Sequence, residues 1–419
     1  MCRKISPLAA LSSALLLLGA CGGQDHGSEW TGTVADSAGI TVVSNPGEGI
    51  WTDEDRWTLT KELRIGVASG DPELEFGLIA GLDADDEGHI FVLDQQASRI
   101  RVFDEDGRLI HAFGRAGQGP DELSQAATGL FVDVDGNLLV PDLMNQRLAR
   151  FSPDGSALTA STLDLAQGVP MLWVADANRN IYQQVRRMSL PGMPEVGGDP
   201  VDMILSRDAG GEITDTVAVL PAGETFQTRG GAVTALRLFA PEPLWTVLED
   251  GRIVSGTNSE YSLSLRGPSG EVETIIRREF TRREVTASDR DGFRNALLDV
   301  WEDAGMPAAT ASEMANILQF EEHWPALAAL LGGPDGSLWV QRVDPDDALD
   351  VADLADMQSM DLGSPRWDIF DVDGRYLGVL EMPEGFAPRR VMEDRIYGIH
   401  RDELGVQRVV RLRLERGQE

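Results

Sequence analysis

The chain has 419 residues, with 69 Asp and Glu against 36 Lys and Arg, and its formal net charge is −33. Proteins that bind DNA or RNA need clustered cations to replace the counterions of the phosphates, so this charge argues against a nucleic-acid partner. Two cysteines exclude a disulfide-dense scaffold and a Cys-rich zinc module. At roughly 150 residues per domain, the length alone predicts two or three domains.

The first twenty residues combine a short basic start with an apolar run. Arg3 and Lys4 precede the run, which is shorter than the about 20 residues that a membrane-spanning helix needs. The run ends in the motif LGAC at residues 18–21, which resembles the bacterial lipobox. The resemblance implies cleavage before Cys21 and a diacylglyceryl group on its sulfur, so residues 1–20 are predicted to be a lipoprotein signal peptide. The alternative is an ordinary secretory signal in which the cysteine occurs by chance.

The segment after the cysteine is small and polar, so residues 21–38 are predicted to form a flexible tether. Gly22, rather than an acidic residue, follows Cys21, which favours the outer membrane in a Gram-negative cell. Two or more acyl chains anchor a protein stably, because each buried methylene contributes about 0.8 kcal/mol. We therefore expect a lipid-anchored protein of the bacterial cell envelope, either periplasmic or exposed at the surface.

One supersecondary unit recurs along the rest of the chain. Short apolar runs alternate with period two and are separated by turns of the Asp-Gly type, whose positive φ angles suit tight hairpins. The copies occupy residues 78–114, 129–162, 171–220, 244–278, 327–382 and 389–414. A full copy has four strands, and the turn between its third and fourth strands is Asp106-Gly107, Asp154-Gly155, Gly210-Gly211, Ser269-Gly270 or Asp373-Gly374.

The two ends of the repeat region complement each other. The last copy lacks a fourth strand, whereas residues 57–65 (WTLTKELRI) form a strand that belongs to no copy. Six four-stranded units in a ring leave only short, protected edges. We therefore predict an all-β fold, a six-bladed β-propeller over residues 39–419, in which strand 57–65 closes the last blade.

Two segments of the first copy carry a family resemblance. Residues 90–100 (IFVLDQQASRI) and 102–123 (VFDEDGRLIHAFGRAGQGPDEL) resemble NHL-type repeats: a strand ends in Asp, and Arg-Ile, a further strand, Asp-Gly and Phe-Gly follow. The chain after the leader resembles bacterial six-bladed β-propeller lipoproteins related to NHL-repeat proteins. That resemblance implies a six-bladed propeller, a fold that serves both binding scaffolds and enzymes.

The segment 281–325, between the fourth and fifth copies, has helical rather than strand periodicity. Ser288 is the expected N-cap of a first helix that ends before Gly305, and Ser312 begins a second helical stretch. This helical insertion either packs on the rim of the propeller or covers one face as a lid.

Aligning the second strand of each copy brings a set of polar residues to one end of these strands. Corresponding strand ends gather on one face of a propeller, so these residues are candidates for ligand binding: Asp94, Asp142, Arg186, Asn258, Arg342 and His400. The alternative for the two Asp residues is that they hold loops by accepting hydrogen bonds from backbone amides. Arg186 and Arg342 are suited to bidentate binding of an anionic group.

Catalytic motifs are not evident. Asp83-x-Asp85-x-Glu87-Gly88 partly mimics a calcium loop but lacks the final bidentate Glu, so a repeat turn is the preferred interpretation. The five histidines include no pair with ligand spacing, and we find no nucleophile elbow and no phosphate-binding glycine loop. No cofactor is expected, although Asp94, Asp142 and Asn258 leave a divalent cation open, as in six-bladed lactonases.

The sequence therefore favours a non-enzymatic, lipid-anchored binding or scaffold module for a protein, peptide or glycan. Two alternatives remain: a metal-dependent hydrolase or lactonase with its site at the channel mouth, and a sensor of a small anionic ligand.

Overall fold

The computed structural model describes residues 29–188, 197–229, 232–267, 269–303, 305–344 and 363–417. The predicted signal peptide (residues 1–20), Cys21 and the tether up to residue 28 lie outside this part of the chain. Within the described residues, no helix is long and apolar enough to cross a bilayer.

The N-terminal half contains an N-terminal segment, three four-stranded antiparallel sheets (blades 1 to 3) and a hairpin. The N-terminal segment contributes β1 (Thr33–Ser37), β2 (Ile40–Asn45) and β3 (Thr58–Ile65). Blade 1 consists of β4 (Ile79–Ala84), β5 (Ile90–Asp94), β6 (Arg99–Phe103) and β7 (Leu109–Phe113). Blade 2 consists of β8 (Phe131–Val132), β9 (Leu138–Asp142), β10 (Arg147–Phe151) and β11 (Ser161–Thr162). Blade 3 consists of β12 (Val169–Ala175), β13 (Ile181–Arg186), β14 (Val201–Arg207) and β15 (Ile213–Pro221), and β16 (Phe226–Arg229) and β17 (Ala232–Leu238) follow as the hairpin.

The C-terminal half contains three more blades and two helices. Blade 4 has β18 (Pro243–Val247), β19 (Ile253–Thr257), β20 (Ser262–Arg266) and β21 (Val272–Arg278). Helices α1 (Ala287–Asp303) and α2 (Ala308–Asn316) and strand β22 (Leu318–Phe320) follow. Blade 5 has β23 (Leu327–Gly332), β24 (Leu338–Arg342), β25 (Arg366–Phe370) and β26 (Tyr376–Glu381). Blade 6 has β27 (Phe386–Met392), β28 (Arg395–Arg401) and β29 (Gln407–Glu415), and its fourth strand is β3, in which Ile65 lies opposite Val409.

The hydrophobic core consists of separate clusters, one between each pair of neighbouring blades. Phe91 of blade 1 packs with Leu138 of blade 2, and Ile399 of blade 6 packs with Ile90 of blade 1. Equivalent clusters fill the interfaces of blades 2 with 3, 3 with 4, 4 with 5 and 5 with 6. Because every blade buries both faces against its two neighbours, the sheets form a ring. The prediction of an all-β, six-bladed propeller is confirmed, and the prior of two or three domains is wrong.

The glycine of the turn between the third and fourth strands packs on the outer part of the preceding blade. Gly155 has a φ of +88°. A Cβ at this position would lie 2.6 Å from the ring of Phe113 in the preceding blade. Gly107 and Gly374 have equivalent contacts with Ile65 and Ile276. The repeated glycine therefore serves two purposes, because it permits a positive φ and allows close approach between blades.

The N-terminal segment is more ordered than its composition predicts. Strands β1 and β2 form a hairpin, and β2 runs parallel to β21, so that the sheet of blade 4 has six strands. The side chain of Asn45 accepts the N–H of Tyr376 and donates to the carbonyl of Gly374, which joins the hairpin to blade 5. The prediction that the flexible tether extends to residue 38 is therefore wrong for residues 33–37. Strand β1, whose own residues are all exposed, is held by pairing with β2, which in turn pairs with β21, a strand distant in sequence.

Two insertions meet in a small sheet that the sequence did not predict. Strand β17 pairs with β16 and, in parallel, with β22, so the sheet joins segments on either side of blade 4. Thr286, rather than Ser288, caps α1, because its hydroxyl accepts the N–H of Asp289 and its own N–H donates to the Asp289 carboxylate. The second helix begins at Ala308, four residues before Ser312.

Replacing Gly155 with Ala tests the contact between blades. Ala at a positive φ costs about 1–2 kcal/mol, and overpacking against Phe113 adds about 1–3 kcal/mol. Gly136→Ala is the matched control, because Gly136 has a φ of +79° but open space around its Cβ position. Urea unfolding should show a clearly larger loss of stability for Gly155→Ala. Equal losses of stability in the two variants would mean that the positive φ, and not packing between blades, explains why Gly recurs in these turns.

Candidate functional site

The six predicted ligand-binding residues lie at or next to the end of the second strand of their blades. Strands β5, β9, β13 and β24 end at Asp94, Asp142, Arg186 and Arg342. Asn258 follows β19, and His400 is the penultimate residue of β28. The repeat alignment therefore identifies corresponding positions. Whether those positions form a site depends on what each side chain contacts.

Asp94 is buried and bonded within the protein. Its carboxylate accepts the N–H groups of Gly77 and Ala97, at 3.2 Å each. It also pairs with the buried guanidinium of Arg101, whose Nη1 lies 2.8 Å from Oδ2. Arg101 in turn lies over the ring of Phe76 and donates to the carbonyl of Glu75. Asp94 therefore holds the loop that enters blade 1 against its second and third strands.

Asp142 has the same function in blade 2. It is fully buried, and it accepts hydrogen bonds from the hydroxyl of Ser124 and from the Asn145 side chain, the latter at 2.7 Å. Arg147 lies 3.6 Å from its Oδ2. These contacts agree with the alternative in which the two Asp residues hold loops in place.

Arg186 forms a closed ion-pair network. Its Nη2 donates to Asp202 Oδ2 at 2.8 Å and to Glu242 Oε2 at 2.6 Å, and its Nε donates to Asp202 Oδ1 at 2.9 Å. Burial by itself lowers the pKa of Arg186, but the hydrogen bonds and charges of Asp202 and Glu242 outweigh it and raise the pKa above the ordinary value. A fully charged guanidinium is thus already bound to two carboxylates.

Asn258 lies beside this network. Its Oδ1 accepts the N–H of Glu242 at 2.9 Å, and its Nδ2 donates to the carbonyl of Ala240. Its own carbonyl accepts the N–H groups of Ala326 and Leu327 at the start of blade 5. Arg186 and Asn258 are therefore brought to one segment, 240–242, where they join blades 3, 4 and 5.

Arg342 belongs to a different buried cluster, at the interface of blades 4 and 5. Its Nε lies 3.8 Å from Asp368 Oδ1, and this carboxylate also accepts the hydroxyls of Tyr261 and Tyr376. Arg278 pairs with the same carboxylate at 3.1 Å. Burial, together with the Asp368 charge, raises the pKa of both tyrosines, so they remain protonated donors.

His400 is partly buried in blade 6. Burial lowers the pKa of this imidazole, and the positive charges of Arg408 and Arg64 lower it further. Its environment therefore favours the neutral ring. The six residues do not converge on one ligand: only Arg186 and Asn258 share a partner, and the others contact separate loops or strands. Among the described residues, no group of three or more His, Cys, Asp or Glu is arranged to hold a metal ion.

A large cavity lies instead along the axis of the ring. Its volume is about 1160 Å³, and the innermost strands of all six blades contribute to its wall. Its rim includes residues that follow the first strands of their blades, among them Asp86, Glu249 and Asp335. Because successive strands of a blade are antiparallel, this rim lies on the face opposite the six predicted residues.

A bulge in blade 3 points an apolar side chain into this cavity. Met171 and Leu172 together stand opposite one residue of β13, because the register shifts between Pro170 and Trp173. Leu172 lines the cavity and remains 46% exposed. Bulges often redirect side chains near functional sites. The first strands of blades 1, 5 and 6 have register shifts of the same kind, so the bulge belongs to the repeat, and what distinguishes Leu172 is its exposed apolar side chain.

Two buried arginines connect blade 3 across the cavity. Nη1 of Arg390, from blade 6, donates to the carbonyls of Ala175 and Asp176 in blade 3, and its Nε lies 3.4 Å from Asp83 of blade 1. Arg179 of blade 3 donates to the carbonyl of Ala84 and pairs with Asp86 at 2.6 Å. These contacts fix the geometry of the cavity rim, and the sequence did not single out either arginine.

Comparisons with known proteins support the fold. A family model described as a 6-bladed beta-propeller (DUF5128) matches residues 73–190. No curated protein sequence matches the chain.

Several solved structures are similar to the whole chain. A protein from Bacteroides fragilis is 10% identical with a TM-score of 0.50, over 90% of this chain and 100% of that one. A DUF4221 family member from Bacteroides vulgatus is 12% identical with a TM-score of 0.50, over 87% of this chain and 100% of its own. Virginiamycin B lyase from Staphylococcus aureus is 12% identical with a TM-score of 0.43, over 86% of this chain and 100% of that one. At such low identity, the likeness shows the fold alone.

Replacing Asp94 with Ala should destabilise the protein, because the charge of Arg101 would remain buried without its partner. A loss of about 3–5 kcal/mol in the free energy of unfolding is expected. The double variant Asp94→Ala/Arg101→Met should lose less than the single variant, as measured by urea unfolding. The exposed Asp135→Ala serves as control. A stable Asp94→Ala protein would contradict the structural role and restore Asp94 as a candidate site residue.

Proposed function

We propose that this protein is a non-enzymatic binding module, anchored by lipid at the bacterial cell envelope, that takes part of a protein, peptide or glycan into its central cavity. The observation that carries the proposal is the cavity itself. Its wall comes from all six blades, and arginines from blades 3 and 6 fix its rim. A preformed concave site of this kind binds without first having to order its own residues.

The cavity is large enough for a segment of a macromolecular ligand. Its volume of about 1160 Å³ is slightly above the about 300–1,000 Å³ that is typical of small-molecule pockets, and it is open at its rim. A peptide or glycan segment can therefore enter it from the rim face. The site thus lies on the face opposite the residues that the repeat alignment indicated.

The two alternative functions receive less support from the described contacts. Binding of a small anion at Arg186 would have to displace Asp202 and Glu242, which already bind its guanidinium. A hydrolase that uses Asp94 would have to release this carboxylate from Arg101 and from three backbone amides. The hypothesis of a metal-dependent hydrolase can be tested by measuring the metal content of the purified protein. Stoichiometric Ca, Mn or Zn, together with a melting temperature that rises when that metal is added, would contradict our proposal.

We further propose how the ring is closed and how it is attached to the membrane. Strand β3 supplies the fourth strand of blade 6, so we infer that the N-terminal segment closes the propeller. The helices α1 and α2 lie on one side of the propeller, where Phe293 and Trp324 pack with Val343 of blade 5. The relation to NHL-repeat proteins rests on the resemblance of residues 90–123, and the lipid anchor rests on the motif at residues 18–21.

Cys21→Ser tests the anchor. Without the acylated cysteine, the protein should move from the membrane fraction to the soluble fraction, because two or more acyl chains account for stable attachment. Cys2→Ser is the control, since Cys2 lies in the predicted leader and should leave membrane attachment unchanged. Fractionation followed by immunoblotting measures both variants. If Cys21→Ser stays with the membrane to the same extent as the wild type, the lipid anchor is refuted.

Ala329→Trp tests the cavity as the binding site. Ala329 lines the cavity and also packs against the cluster between blades 5 and 6, so an indole there should fill part of the cavity and abolish binding in a protein whose circular dichroism and melting temperature show that it is folded. Thermal shift against panels of peptides and glycans measures binding, since a ligand present at 100 times its Kd stabilises by about 2.7 kcal/mol. Ala157→Trp, at an exposed position on blade 2, is the matched control. A ligand that stabilises wild type and Ala329→Trp equally would show that the cavity is not the site.

A further inference from the structure

The wall of the cavity and its rim differ in chemistry. The wall carries apolar side chains such as Leu244, Leu331 and Val391, and Leu172 adds an exposed apolar group to it. Exposed apolar side chains inside a concave site indicate contact with an apolar part of a ligand. The ligand therefore presents aliphatic or aromatic groups to this wall.

The rim has an excess of negative charge. Eight acidic residues line the cavity against four arginines, and Arg179 adds a fifth arginine at the rim, where it pairs with Asp86. The acids are Asp83, Asp85, Asp86, Asp176, Glu249, Asp335, Glu393 and Asp394, and the four lining arginines are Arg389, Arg390, Arg395 and Arg416. Arg416 is paired with Asp335, and Arg390 is bound to Asp83 and to blade 3. Glu393 has no ion-pair partner among the described residues, and Glu249 accepts one backbone N–H at 3.2 Å. A cationic ligand complements this rim.

The edges of the blades add a third feature. In each blade sheet the first strand is innermost, so one edge of its backbone faces the axis. Such an edge presents unpaired N–H and C=O groups, and Arg390 already binds two carbonyls on the edge of blade 3. A peptide backbone offers both donors and acceptors to these edges, which a purely apolar ligand does not.

We propose that the cavity binds a cationic, amphipathic peptide segment, with its apolar side chains against Leu172 and its Lys or Arg side chains at Glu249 and Glu393. This inference rests on the proposed function and selects one ligand class within it. Acidic peptides are disfavoured by the rim, and uncharged glycans gain hydrogen bonds to its carboxylates but no charge attraction.

The test uses short synthetic peptides of Lys and Leu, with Glu–Leu and Lys–Ser peptides of equal length for comparison. Isothermal titration calorimetry should show stoichiometric binding of the Lys–Leu peptide only. Leu172→Ser should weaken this binding about tenfold, because a buried leucine contact is lost. Glu249→Gln/Glu393→Gln should weaken it about fivefold and reduce its dependence on salt. Leu404→Ser and Glu260→Gln, at exposed positions away from the cavity, should bind as the wild type does.

Four results would overturn the inference: absence of Lys–Leu binding, equal binding of the Glu–Leu peptide, equal binding of the Lys–Ser peptide, or Lys–Leu binding that survives Ala329→Trp. The last result would indicate general adhesion of cations to an acidic protein. If a glycan or neutral peptide then binds and Ala329→Trp abolishes this, the proposed binding function stands and only the choice of ligand is wrong.

Discussion

The structure depends on one constraint: each blade is a thin sheet with two apolar faces, and it covers those faces only by contact with its two neighbours. Separate clusters fill the interfaces, from Phe91 with Leu138 to Ile399 with Ile90. The glycine turns let each blade approach the one before it, as Gly155 does with Phe113. A blade therefore has little stability alone. The six blades therefore depend on one another for burial, although the chain is long enough for two or three domains.

The same constraint explains why the two faces of the ring differ. On one face the chain passes from blade to blade, and these long connections need polar partners. Asp94, Asp142 and Asn258 supply such partners, which is why corresponding positions carry polar residues without forming a common site. On the opposite face the first strands end in tight turns, and the space between the innermost strands stays open as the cavity. Polar residues at corresponding positions thus occur at the connections, whereas the exposed apolar side chain of Leu172 lies in the cavity.

Sequence periodicity predicts those parts of the fold that depend on contacts between adjacent segments. The strands and Asp-Gly turns of each blade are local, so their positions could be derived. The pairing of β2 with β21 and of β17 with β22 joins segments distant in sequence, and no local pattern encodes it. The cavity could not be predicted for a related reason, because Arg390 and Arg179 bind groups of blades that are distant from their own in the sequence. The sequence shows that these residues are cationic, but it does not show which groups they bind.

The overall acidity of the chain has different consequences for the proposed membrane attachment and for the proposed binding site in the cavity. A net charge of −33 opposes adhesion to anionic lipid, so the proposed membrane attachment rests on the acyl chains. The same charge attracts cations from a distance and raises their local concentration near the protein. At the rim of the cavity, Arg416 and Arg390 are already bound to other groups of the protein, whereas Glu393 has no ion-pair partner within the described residues. The rim therefore adds a local negative charge to the overall field. Long-range attraction alone would be unselective, and in the proposed binding mode the apolar wall at Leu172 distinguishes an amphipathic cation from a merely basic one.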